Sequence, residues 1–237
     1  MRNLNRKVFA LTLSVVCVAG CGRGDQNTDA SQAQEKAKAQ LESQQRAAAQ
    51  TTQTYKEMDN AALFEKLVQQ STAQKEPFNS PAYRELSGRK DVSTDSLVSL
   101  IRGTNNGNAL LPLVLLRKLN NTAYVNLPAE LRANVLTDAL QKSKMFNTWG
   151  LPNFYLEDAS KAMLETGSAA IPALKQMLSD TRPAPVFGGQ EAMLYQQYQY
   201  RLCDYALFFL EKLQGNANFV MPVSVAERDA LIRDLLK

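Results

Sequence analysis

The chain has 237 residues, 45% of them hydrophobic and 21% charged, which is enough for one core and too few for two large domains. It contains no histidine, and this excludes a Ser-His-Asp triad, a Cys-His pair and an H-E-x-x-H zinc site. The formal charge of +4 belongs largely to residues 1–20, which carry Arg2, Arg6 and Lys7 and no acid, so the remainder is close to neutral and offers no basic face for nucleic acid.

The basic start is followed by an apolar run from Val8 to Val18 and then by Ala19-Gly20-Cys21. That run is shorter than the ~20 residues a membrane-spanning helix needs and has the length of a secretory signal. Val18-Ala19-Gly20-Cys21 resembles the lipobox of bacterial lipoproteins. The resemblance implies a signal peptide at 1–20 and a diacylglycerol on Cys21, whose new terminal amine is often acylated as well. Each buried CH₂ contributes roughly 0.8 kcal/mol, so two or three chains anchor a protein in the bilayer without a transmembrane helix. Gly22 stands where lipoproteins kept at the inner membrane of Gram-negative bacteria commonly carry Asp, so the resemblance implies the periplasmic face of the outer membrane. Cys17 leaves with the signal and Cys21 is acylated, which leaves Cys203 alone. Its setting, Leu202-Cys203-Asp204-Tyr205-Ala206-Leu207, predicts inert core packing.

Residues 21–54 form the next segment, rich in Ala and Gln, with a single Leu41 and no aromatic. Such a stretch has no material for a core and reads as a tether that holds the following domain off the membrane, flexible or helical with the same consequence. No apolar heptad supports a coiled coil. From Tyr55 to Lys237 apolar residues recur at three and four, which predicts an all-helical domain over 55–237. Helices are expected from Asp59-Asn60, from Ser80-Pro81 with Ser as cap, and from Thr94 to Gly103. Further helices follow over Ala109–Leu119, Pro128–Lys142, Phe154–Glu165, Ser168–Leu178 and, longest of all, Gln190–Leu213. The last opens on Ser224-Val225-Ala226-Glu227, a capping-box pattern.

Two of these helices share a scheme. Ala109-Leu110-Leu111-Pro112 and Ala169-Ala170-Ile171-Pro172 each place a proline after apolar residues and continue at helical spacing, which suggests a common local bend. Ile171-Pro172-Ala173-Leu174-Lys175-Gln176-Met177-Leu178-Ser179-Asp180 resembles the first helix of HEAT-like repeats, and Tyr200-Arg201-Leu202-Cys203-Asp204-Tyr205-Ala206-Leu207 is similar to the second. The loop Thr181–Gly189 between them is longer than the repeat's usual turn. The resemblance covers about 168–215 and, more faintly, 95–143. It implies an all-α, HEAT-like stack of antiparallel helical pairs, with a compact helical bundle as the alternative, and such arrays serve mostly as binding scaffolds. In these repeats an Arg at the place of Arg201 often ties neighbouring repeats together, so Arg201 and Asp204 read as a structural pair.

On the aromatic helix, Tyr205, Phe208 and Phe209 fall on apolar stripes and are expected in the core, whereas Tyr195 and Tyr200 fall off both stripes and are candidate partner contacts. Trp149 lies in the Gly/Pro-punctuated segment Met145–Tyr155. It is expected to fold back into the groove between helices, with partner contact as the competing role. Glu130, Glu157 and Asp158 are carboxylates without a companion that would mark a glycosidase, and no phosphate loop, paired-Cys metal motif or nucleophile elbow is present. No cofactor and no metal are expected. The sequence reading is a lipid-anchored envelope protein that binds a protein partner as a scaffold, assembly factor or immunity factor. The alternative is an enzyme or binder acting on peptidoglycan or another glycan.

Overall fold

The computed structural model describes residues 26–73, 78, 80–103 and 109–237; residues 1–20, expected to be a signal peptide, and Cys21 lie outside the described residues. The described residues divide into two units, one ending at Gln50 and the other running from Thr51 to Lys237. The Ala/Gln-rich segment is helical, α1 spanning Gln26–Glu57, and its side chains from 34 to 50 are exposed, as a helix without an apolar face must be. No described helix is long and apolar enough to cross a membrane.

In the second unit Tyr55 is buried, and its hydroxyl accepts a hydrogen bond from Gln70 Nε2 at 2.7 Å. Gln70 belongs to α2 (Asn60–Ala73), which turns Leu63 and Leu67 into the core. α3 (Pro81–Leu86) starts as its sequence demands: Tyr83 N–H donates to Ser80 Oγ and Pro81 occupies the first turn. Arg89, just beyond α3, donates to the carbonyls of Tyr55 and Lys56 at the end of α1 and to that of Met58. The guanidinium thus satisfies carbonyls that a helix terminus leaves open.

α4 (Thr94–Gly103) packs on α5 (Leu110–Leu119), and a short α6 (Asn121–Val125) follows, capped by Asn120. α7 (Ala129–Lys142) leads into a tight β-hairpin, β1 (Gly150–Leu151) antiparallel to β2 (Tyr155–Leu156), and then α8 (Asp158–Leu164). The helix expected from Phe154 therefore begins four residues later, because the chain first has to turn at Asn153, whose φ is 73°. After a 3₁₀ turn over Gly167–Ala170 come α9 (Ile171–Met177), α10 (Gly189–Tyr198), α11 (Leu202–Leu213) and α12 (Val225–Leu235). Pro112 and Pro172 both sit in the first turn of their helices, where a missing N–H has no partner to lose. Their recurrence marks two helix starts rather than the expected bend.

The long helix expected over Gln190–Leu213 is broken. Gln199 takes a left-handed conformation with φ 49°, and the backbone beyond it pairs with the preceding loop. Ala184 N–H donates to Tyr200 O at 2.8 Å, Leu202 N–H to Arg182 O at 2.9 Å, and Cys203 N–H to Asp180 O at 2.9 Å. These hydrogen bonds and the inward turn of Tyr200 outweigh a helix propensity that carries no Gly or Pro signal at the break.

The described fold is all-α with helix-on-helix packing around one core, the hairpin excepted. Contacts join consecutive helices, α2 on α3, α7 on α8 and α11 on α12, and also helices two or three apart, α5 on α7 and α8, α7 on α9, α9 on α11 and α8 on α11. The most demanding local geometry is at Gly150, whose φ is 78° and where an added Cβ would lie 2.5 Å from Tyr155 O. Gly150→Ala is expected to destabilise the protein by about 2 kcal/mol or more in urea unfolding, whereas Gly103→Ala, with nothing among the described residues within 4 Å of the added carbon, is expected to change stability by less than about 1 kcal/mol.

Candidate functional site

The segment 145–157 is the structural hub. Trp149 is 0% exposed, its indole N–H donates to Ser143 Oγ at 2.8 Å, and its ring meets Phe209 edge-on. Ser160 Oγ donates to the carbonyl of Trp149, and Tyr205 Oη donates to that of Gly150 at 2.7 Å. Tyr200 Oη donates to Pro152 O at 3.1 Å. Two asparagines clip distant loops to this segment with both ends of their amides. Asn147 Nδ2 donates to Phe187 O at 2.6 Å while its Oδ1 accepts from Phe187 N–H at 2.8 Å. Asn153 does the same to Met221, both at 2.8 Å.

Trp149 therefore takes the plugging role, and the competing assignment as a partner contact is corrected. Tyr200 is corrected too: it is 0% exposed, stacked on Tyr198 and set edge-on to Tyr205. The helical stripes put Tyr200 outside the core only if one helix runs through residue 200, and the helix ends at Tyr198. Tyr195 is half-buried and packs against the core. Tyr205, Phe208 and Phe209 are buried as expected.

Beneath these rings lies a charge network. Asp204, fully buried, accepts from Arg201 N–H at 2.8 Å, which caps α11, and from Arg201 Nη2 at 3.0 Å; Arg228, also fully buried, approaches it at 3.1 Å. Arg201 therefore pairs with Asp204 as expected and also reaches Asp229 at 2.7 Å, which links the start of α11 to α12. Its hydrogen bonds to Asp204 raise the Arg201 pKa further above its ordinary value. Arg228 Nη1 donates to the carbonyls of Pro222 and Val223, and Nη2 donates to that of Tyr198. Cys203 beside it is buried, and desolvation first, then the charge of Asp204, pushes its thiol up to about 12. A thiol held protonated in this way is neither nucleophile nor metal ligand at neutral pH.

Of the carboxylates singled out in the sequence, Glu157 and Asp158 sit side by side at the start of α8, and after burial itself their charges help raise the Tyr83 pKa. Asp158 stands 3.9 Å from Arg117 and 3.5 Å from Lys161 at the start of α8, while Glu130 lies in the first turn of α7. Among the described residues no group of three or more Cys, Asp and Glu side chains is arranged to hold a metal.

What the hub does present outward is an apolar groove of about 490 Å³ between the hairpin and the loop that precedes α12. Its walls include Phe154, Tyr155 and Leu156 on one side, Phe219 and Val220 on the other, with Phe208 and Lys212 between them. Phe154 is 44% exposed and Val220 70%. Lys212 Nζ donates to Phe219 O at 3.0 Å and also to Ala217 O, and so holds the far wall in place. Phe154 also meets Tyr198 edge-on at 5.3 Å. Sequence reasoning did not find this groove, although Phe154 lies in the segment it singled out. The one available signal was the apolar run Phe219-Val220-Met221 inside a stretch with no helical period.

No family model matches the chain, and comparisons with curated proteins and with solved structures return no match.

Three measurements test this description. Asp204→Ala leaves Arg228 buried without its carboxylate and is expected to cost about 3–5 kcal/mol in denaturant unfolding. Cys203 is expected not to react with a disulfide reagent in the native protein at pH 8 and to react fully once unfolded. Because the folded thiol keeps its proton above the ordinary value of 9.0, its contribution is complete below about pH 9 and is lost as pH rises toward 12, so the urea midpoint should fall across that window.

Proposed function

We propose that this chain is an envelope lipoprotein, acylated at Cys21 and facing the periplasm from the outer membrane, whose helical domain binds a protein partner in the Phe154–Val220 groove. The observation that carries the reading is the groove itself: exposed apolar side chains on walls that side-chain hydrogen bonds fix in position. A groove already in its final geometry loses little entropy on binding. The absence of a carboxylate from its lining favours contact over the acid–base pair that cleavage of a glycan needs.

The HEAT-like reading belongs to the same proposal. Helices whose main contacts are with helices one to three places along the chain, and an Arg201–Asp229 pair that links α11 to α12, are what a stack of helical pairs requires. The role of scaffold, assembly factor or immunity factor follows from the lipobox and from the groove taken together.

The test has two parts. Replacing Cys21 with Ala is expected to shift the protein from the detergent phase to the aqueous phase with its helical spectrum unchanged; retention in detergent would remove the anchor from the proposal. Envelope proteins captured by the wild-type chain are then compared with those captured by Phe154→Asp/Val220→Asp. Selective loss of one captured protein, with folding intact by circular dichroism, supports the groove, and identical capture by both chains overturns it. Tyr195→Ala serves as a control that is expected to have a smaller effect.

A further inference from the structure

A second cleft, of about 400 Å³, opens between the loop joining α3 to α4 and the end of α5, and its lining includes Arg89, Lys90, Thr94, Lys118 and Asn120. The lining contains three cationic side chains and no acid. Arg89 is already committed, paired with Glu85 at 3.1 Å and bonded to Asn60 Oδ1 as well as to the carbonyls given above. Lys90 and Lys118 are different. Both are exposed, and among the described residues neither is in an ion pair; the Lys118 ammonium is held 5.0 Å above the centre of the Tyr83 ring.

The wall between them supplies a hydroxyl. Asn120 is fixed at one end by Ala123 N–H, which donates to its Oδ1 at 3.0 Å, and at the other it donates from Nδ2 to Thr94 Oγ1 at 3.2 Å. With its oxygen accepting from Asn120, the Thr94 hydroxyl has its own proton left to give. Thr94 also opens α4, a ten-residue helix whose positive end adds to the potential. Asp95, the acid of that first turn, lines a separate hollow with Val98 and Arg102.

We propose that this cleft binds a small anion of the phosphate monoester class, with Lys90 and Lys118 supplying the charge and Thr94 a hydroxyl donor. Two unpaired ammonium groups match a dianion, and compact point charges suit a tetrahedral group whose oxygens accept from several directions. The same chemistry is offered by a free phosphate ester and by a monoester headgroup at a lipid surface.

Calorimetric titration of the full chain with inorganic phosphate, at ionic strength held constant with chloride, tests the site. Saturable binding at one site is expected, weakened about fivefold or more in Lys90→Gln/Lys118→Gln and largely kept in Lys118→Arg. Absence of saturable binding, or a double variant that binds as wild type, overturns the proposal. Sedimentation with phosphatidic acid vesicles, against phosphatidylcholine vesicles and in a Cys21→Ala background, separates the two sources. Vesicle binding that is lost in the double variant assigns a lipid headgroup, and phosphate binding without vesicle binding assigns a soluble ester.

Discussion

The fold depends on the burial of an irregular segment. Residues 146–156 form a turn and then a hairpin of two-residue strands, largely buried as far as residue 152, and such a path carries backbone groups that no helix ladder satisfies. Each unpaired group would cost free energy comparable to a lost hydrogen bond. The surrounding polar side chains are distributed accordingly. Ser160, Tyr200 and Tyr205 donate to the carbonyls of Trp149, Pro152 and Gly150, and the indole N–H is taken by Ser143. The tyrosines of the aromatic cluster are thus placed by their hydroxyls as much as by their rings.

That requirement explains the break before α11. For Tyr200 to reach Pro152 its backbone has to leave the helix, and the left-handed turn at Gln199 brings this about. The chain then re-enters a helix at Leu202, and a new helix start needs a cap, which Asp204 provides by accepting from Arg201 N–H. Arg228 completes the arrangement by taking the carbonyl of Tyr198 just before the break and those of Pro222 and Val223 just before α12. Buried ions of this kind add little net stability and a good deal of specificity, because any other register would strand a charge.

What was legible in the sequence was local. Ser80 before Pro81, the start at Thr94, the stop at Leu119 and the start after Pro128 are written in capping residues and apolar spacing, which act within one turn of the chain. The burial of Cys203 and of Phe209 was legible for the same reason. What was not legible depends on partners far away in sequence. Gln199 carries no sign of a break, since the hydrogen bonds that impose it come from residues 182–184. Phe154 was assigned to a helix start because the clip between Asn153 and Met221 spans 68 residues. The groove is formed by that clip, so its two walls could not be paired from spacing alone.

The same dependence constrains how the groove can work. Asn153, itself exposed, joins the hub to the groove lining, and the loop it holds carries Val220 on its outward side. A ligand that pushes the walls apart must therefore break a two-point amide bond and disturb the packing of Phe154 on Tyr198. A ligand that fits the walls as they stand does neither. In the proposed binding role, selection among partners rests on shape, because adapting the groove to a poor fit means unsatisfying part-buried polar groups, and that cost grows with every hydrogen bond the hub has to give up.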